Sequence, residues 1–235
     1  MEEEYRPPVP ATSASKTKKS YSPSMVIVAT VLLVILGFVT WPMIGRQQAA
    51  AQRTTANNHL KQIGLCFLEF DQEFGAFPSE DTANAVKAAT ETDLNLQGTS
   101  TNALFRQFIA YGIQSEEIFW CRHPELPRSR PDNDIDPGEA LAPGEVGYSY
   151  LAGLKTDLNP GIPLAFAPMK IGTESFHSEV YGGMAVVLHL DNSVWHFPIR
   201  PEDGRVASGG GSTLFDPTSE IWPDDYTIDL RHPEK

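Results

Sequence analysis

The sequence predicts an α+β fold in which a long N-terminal helix, membrane-spanning in its first half and amphipathic in its second, packs on a small antiparallel β-sheet. Three observations predict it. Residues 25–44 form an uncharged apolar run, residues 60–74 carry apolar side chains at helical spacing, and two alternating apolar runs flank Asp191-Asn192. At 235 residues the chain is long enough for one ordinary domain plus an anchor.

The apolar run reads MVIVATVLLVILGFVTWPMI, interrupted only by Thr30, Gly37, Thr40 and Pro42. Twenty residues at about 1.5 Å rise span roughly 30 Å, the thickness of a bilayer core. A buried core helix of this length would show a polar face, and this run has none. A cleaved secretory signal has a shorter apolar region ending in small residues. Ala49-Ala50-Ala51 lies beyond Arg46, so the sequence favours retention as a transmembrane helix over 25–44, with residues 45–75 extending it.

Residues 1–24 are rich in Pro, Ser, Thr and Lys and offer almost nothing to bury, which predicts a disordered tail. The tail carries a formal charge of +1. The remaining 14 basic and 27 acidic side chains leave the rest at −13, within the chain's −12. Basic residues near the two ends of the span nearly balance, Lys16, Lys18 and Lys19 against Arg46, Arg53 and Lys61. The short tail and the acidic domain after the span place the N-terminus in the cytoplasm and residues 76–235 outside it. An acidic domain lacks the basic footprint that nucleic-acid phosphates require, so nucleic acid is excluded as a partner, and the membrane and other proteins are expected instead.

After the anchor, Leu60, Ile63, Phe67, Phe70 and Phe74 recur three and four residues apart and share one helix face, a candidate structural core. Gly75 supplies a left-handed stop and Pro78 prevents resumption. A short helix is expected within Asp81–Glu91 and a firmer one over Thr101–Tyr111, ended by Gly112. Residues 122–147, dense in Pro, Asp, Glu and Gly, predict a long loop, and the chain beyond Arg200 reads as irregular.

In MAVVLHLDNSVWHFPI, Asp191 and Asn192 tolerate the positive φ of a tight hairpin turn. With those two residues as the turn, Leu188 faces Trp195 and Val186 faces Phe197. Leu188, Trp195 and Phe197 are then core residues, and His189 and His196 share the opposite face.

Asp132, Asp134 and Asp136, with Glu139 nearby, resemble the start of a calcium loop, since calcium takes several oxygen ligands on a sharply bent backbone. The glycine and glutamate of an EF-hand are replaced by Pro137 and Pro143, so the sequence leaves a looser calcium loop or a solvated acidic one. Cys66 and Cys121 follow the anchor, and the spacing leaves a disulfide between them open. Cys121 and His123 with Cys66, His59, His189 or His196 are zinc-type ligands. With a single short-spaced pair, they read as surface histidines. No nucleophile, phosphate-loop, metalloprotease or dinucleotide motif occurs, which predicts a non-enzymatic protein without a cofactor.

NNHLKQIGLCFLEFDQEFGAFP (57–78) resembles the segment after the membrane helix in pilin-like proteins abundant in planctomycetes and verrucomicrobia. Phe119-Trp120-Cys121-Arg122-His123-Pro124-Glu125 is similar to their Cys-Pro-Ser-Asp segment, Gly147-Tyr148-Ser149-Tyr150 to their Ser-Tyr strand, and Gly182-Gly183 with VVLHLDNSVWHF to their closing hairpin. The resemblance covers roughly residues 25–199. It implies a pseudopilin-type fold related to type II secretion pseudopilins, a single-pass protein of the bacterial inner membrane, and a structural or protein-interaction role at the cell envelope. Tyr21-Ser22-Pro23-Ser24-Met25 departs from that family in lacking both the glycine of the prepilin peptidase site and a glutamate early in the apolar run. The alternative is an anchored module binding calcium or a glycan through the acidic loop.

Overall fold

The computed structural model describes residues 23–127, 130–209, 212–223 and 226–235, with the side chains of residues 29, 38–44 and 209 excluded. The expected tail over 1–24 lies almost wholly outside these residues. The chain is α+β and divides into two units, residues 1–44 and 45–235. In the first, helix α1 (Pro23–Phe74) begins, and Met25–Val28 and Val31–Leu36 each expose 52% or more of their apolar surface. Among the described residues no helix is long and apolar enough to cross a membrane. Part of the span read from the sequence, residues 38–44, falls where side chains are not described.

In the second unit, α1 continues to Phe74 and stops at Gly75, whose φ of +72° is the left-handed conformation a glycine adopts without a Cβ penalty. Helices α2 (Ala83–Thr90) and α3 (Thr101–Tyr111) follow where the sequence predicts them. Ser100 caps α3 by accepting the Ala103 N–H at 3.1 Å. One 3₁₀ turn (Glu117–Phe119) precedes the long loop, which carries no helix or strand over its described residues up to 147.

The sheet is antiparallel, in the order β4-β3-β2-β1-β7, with β1 Ser149–Leu151, β2 Pro163–Ala167, β3 Met184–His189, β4 Val194–Pro198 and β7 Leu230–Arg231. A separate ribbon joins β5 (Ala207–Gly209) to β6 (Ser212–Thr213). The pairings Tyr150↔Ala165, Ala165↔Leu188 and Leu188↔Val194 define one face, and Ser149↔Phe166, Phe166↔Val187 and Val187↔Trp195 the other. Residues 45–74 of α1 lie on the first face. Leu60, Ile63, Phe67 and Phe70 are fully buried, Phe67 stacks on Tyr150, and Phe74 is half-buried. The second face is covered by Phe176 and Phe215, which pack around Phe166.

The register of the hairpin corrects the sequence expectation. Asn192 donates its N–H to the His189 carbonyl (3.0 Å), and His189 donates to the Ser193 carbonyl (2.9 Å). Asn192 takes φ +61°. The loop is therefore Leu190-Asp191-Asn192, one residue longer than the two-residue turn, a tight turn closed by a left-handed residue. One extra residue turns every β4 side chain over. Val187, not Leu188, pairs with Trp195, and Ala185 pairs with Phe197. Leu188 remains fully buried and Phe197, half-buried at the edge of the second face, packs against the core, but Trp195 is 59% exposed and is not a core residue. His189 and His196 end up on opposite faces.

The turn is held from outside the hairpin. Leu190 and Asp191 donate backbone N–H groups to the carbonyls of Ile162 and Pro160. Asn192 also sits directly over Gly64 of α1, where a Cβ would fall 2.0 Å from its Oδ1. The end of the chain is likewise more ordered than expected: β7 completes the sheet, and Glu234 donates its N–H to Asn102 at 2.8 Å, tying the C-terminus to α3.

Candidate functional site

Among the described residues, two polar clusters and one aromatic surface bring chemistry-bearing groups together beside open space. The first is in the acidic loop. Of the three aspartates read as calcium ligands, Asp132 and Asp134 close a ladder of local turns with their carboxylates, and Asp136 enters it through its backbone N–H. Asp132 Oδ1 accepts the Asp134 N–H (2.9 Å), and Asp134 Oδ1 accepts the Asp136 N–H (3.1 Å). Asp132 alone turns toward other carboxylates. Oxygens of Glu116, Asp132 and Glu145 lie within 4.8 Å of one another.

Glu116 and Glu145 were not legible as site residues, because each comes from a different side of the loop. Glu116 opens the 3₁₀ turn, and its backbone N–H donates to Asn133 Oδ1 (3.0 Å), bringing that turn to the Asp132 bend. Asn133 supports this bend with φ +61°, which asparagine tolerates better than most residues. Glu145 Oε2 accepts the Ala142 N–H (2.8 Å). Glu116 is fully buried. Its Oε1 accepts the Leu141 N–H at 2.5 Å, while its Oε2 has no hydrogen-bond partner among the described residues. Burial, with the neighbouring Glu145 and Asp132 charges, raises the Glu116 pKa against the two backbone donors; burial likewise raises that of Glu145.

The second cluster borders a cleft of about 450 Å³ lined by Trp120, Arg122, His123 and Glu179, among others. His177 places Nε2 3.0 Å from Glu125 Oε1 and Nδ1 3.1 Å from Glu179 Oε1. Glu125 also accepts the Ile171 N–H (3.1 Å) and pairs with Lys235 Nζ (2.6 Å). Partial burial pushes the Glu125 pKa up, but the bonds from Lys235, His177 and Ile171 outweigh it and hold the carboxyl at about 2. A carboxyl depressed in the folded state stabilises the fold above its ordinary range, and that stability is lost as pH falls toward about 2. Glu125→Gln is therefore expected to unfold more easily than the parent at neutral pH, with the difference shrinking between pH 4.5 and pH 2.5. Thermal unfolding of the two proteins across that window checks it, and a gap independent of pH would exclude ion pairing as its cause.

The residues proposed for zinc are not brought together. The acidic triplet is the one metal-capable group of three or more among the described residues. His59 Nδ1 faces the Trp120 carbonyl (2.9 Å), and His123 Nε2 the Met169 carbonyl (2.5 Å). Burial lowers the pKa of His123 and of His189. Cys66 and Cys121 are both buried free thiols, so the disulfide left open by their spacing is not formed. Their surroundings differ: Cys66 sits on α1 beside Ile113 and Ile118, whereas Cys121 Sγ donates to the Gly147 carbonyl at 3.1 Å. Burial pushes the Cys121 thiol up to about 12 and Cys66 to about 11, which leaves both as weak nucleophiles.

The aromatic surface is on β4. Trp195 stacks over Phe197 with rings 16° apart, and His189 meets Trp195 edge-on at 5.9 Å. These three border a shallow groove of about 270 Å³ with Asp191, Ser193 and Ser208 on its rim. Comparison with protein-family models, with curated proteins and with solved structures gives no match for this chain.

Proposed function

We propose that this chain is a membrane-anchored, pseudopilin-like protein of the bacterial cell envelope whose domain works by binding other proteins rather than by catalysis, as an accessory to a secretion or pilus apparatus. One observation carries the proposal. The described apolar side chains of α1 from Met25 to Leu36 stand exposed over half or more of their surface. Each such side chain gains about 1.5–3 kcal/mol on leaving water, and a lipid bilayer supplies that burial without a protein partner. The N-terminus would lie in the cytoplasm and the domain from residue 76 outside it.

Within the domain, the stacked Trp195 and Phe197 on edge strand β4 offer the kind of surface protein partners use, because aromatic rings give large contact area at small entropic cost. Both cysteines are buried and high in pKa, which makes them weak nucleophiles and fits a binding role better than thiol catalysis.

Expression of the full chain in a bacterial host, with a phosphatase reporter active only outside the cytoplasm fused after Lys235, tests it. The protein is expected in the membrane fraction after an alkaline carbonate wash, with the reporter active. Recovery of the intact chain in the detergent-free soluble fraction would overturn the anchor, and an inactive reporter on a membrane-bound chain would overturn the orientation.

A further inference from the structure

We propose that Glu116, Asp132 and Glu145 form a binding site for one divalent cation, calcium by its ligand chemistry. Acidic groups on a surface loop are ordinarily solvated and need no ion. Glu116 is different, because its side chain is fully buried, one oxygen is satisfied by the Leu141 N–H, and the other has no partner among the described residues. A buried carboxylate oxygen left without a donor is costly, and two further carboxylates at close range raise that cost. A cation at the centre of the three removes both penalties.

The spacing fits such an ion. Calcium binds oxygen at about 2.3–2.6 Å, so two oxygens that share it stand at most about 5 Å apart. The three carboxylate oxygens all lie within 4.8 Å of one another. They also form a gradient of access: Glu116 is buried, Glu145 half-buried and Asp132 exposed, so an ion has an entry side and a floor. Magnesium demands near-octahedral geometry and dehydrates reluctantly, whereas calcium accepts irregular oxygen sets, and this triplet sits on an irregular loop. The backbone is already shaped for it by Asn133, which ties the Glu116 turn to the Asp132 bend, and by the Ala142 N–H, which fixes Glu145.

The consequence is mechanical. The ion would join the 3₁₀ turn after α3 to both limbs of the long loop 122–147. This role is independent of whether the chain is anchored or binds other proteins.

The test uses the full chain in mild detergent, stripped with a chelator and titrated with calcium chloride or magnesium chloride, read by calorimetry and thermal unfolding. One calcium per chain is expected, with a rise in Tm of about 5–10 °C at a hundredfold excess over Kd and a smaller response to magnesium. Asp132→Asn keeps an oxygen for the Asp134 N–H and sits on the surface, so it should fold as the parent does while weakening calcium binding by about tenfold or more. Asp134→Asn and Asp136→Asn should leave binding unchanged. The absence of a saturable calcium isotherm would overturn the site. So would loss of binding in the Asp134 or Asp136 variants equal to that in Asp132→Asn. If Glu116→Gln stabilises the chelated protein while calcium leaves the parent unmoved, the triplet holds a shared proton, and the cation proposal fails.

Discussion

Phe67→Ala is expected to lower the unfolding free energy by about 4 kcal/mol, among the largest losses any single substitution should cause here. Phe67 is fully buried at the point where α1, α3 and the sheet meet. Its ring lies 5.0 Å from Phe77, 5.9 Å from Phe105, 5.0 Å from Phe108 and 5.0 Å from Tyr150. Two of these contacts are edge-on and the Tyr150 contact is stacked, arrangements that add to simple burial. Those four rings come from three separate segments, the chain after α1, helix α3 and strand β1, so no local adjustment can fill the space that alanine leaves. Guanidinium unfolding of the full chain in mild detergent, followed by tryptophan fluorescence, measures the loss. Phe67→Leu keeps most of the volume and should lose about half as much or less. A cost under about 1 kcal/mol for Phe67→Ala would mean that α1 does not close the core in this way.

That core was legible because its signal is local. The apolar stripe from Leu60 to Phe74 needs only helical periodicity to be read, and four of its five members are fully buried. Thr101–Tyr111 is bounded correctly for a similar reason, since its apolar residues recur locally and Gly112 ends it. The hairpin was located but turned the wrong way. Its register depends on one residue of loop length, and the apolar pattern could not arbitrate because both faces of β3 are covered: Val186 and Leu188 on one side and Val187 on the other are all fully buried. What fixed the longer turn were the carbonyls of Pro160 and Ile162 and the space over Gly64, none of them local in sequence.

The acidic site failed to show for the same reason. Spacing within Asp132, Asp134 and Asp136 suggests a run of ligands, yet the Asp132 and Asp134 carboxylates accept backbone N–H groups from within the run, and only Asp132 joins other carboxylates. Two of the three converging carboxylates enter from outside that run. Nothing around Glu116 in Gln-Ser-Glu-Glu-Ile-Phe distinguishes it from the exposed Glu117 beside it, until Leu141 and Asn133 fold over it. Strand β7 is similarly silent: Leu230-Arg231 is too short to show alternation, and it is held by its pairing with β1 and by Arg231, which reaches Glu80 at 2.8 Å.

Gly147→Ala should cost about 3 kcal/mol, although it adds one methyl group to an ordinary backbone conformation. Gly147 donates its N–H to the Phe119 carbonyl at 3.0 Å, so two segments run side by side with no room between them. A Cβ at Gly147 would lie 2.6 Å from Cys121 Sγ, 2.7 Å from the Cys121 carbonyl oxygen and 2.8 Å from its nitrogen. The last two contacts are with main chain, which cannot swing aside as a side chain can. The segments must therefore separate, which loosens the Gly147–Phe119 bond and the packing of Tyr148 and Phe119, both fully buried. Shortening the neighbour separates the two sources of strain. Cys121→Ala removes the sulfur contact and leaves both backbone contacts, so the double variant should recover only a minor part of the loss. A double-mutant cycle on the unfolding free energies reads this directly. Full recovery in the double variant would place the obstruction in the thiol alone, and a neutral Gly147→Ala would show that residues 119–121 and 147 do not run in contact.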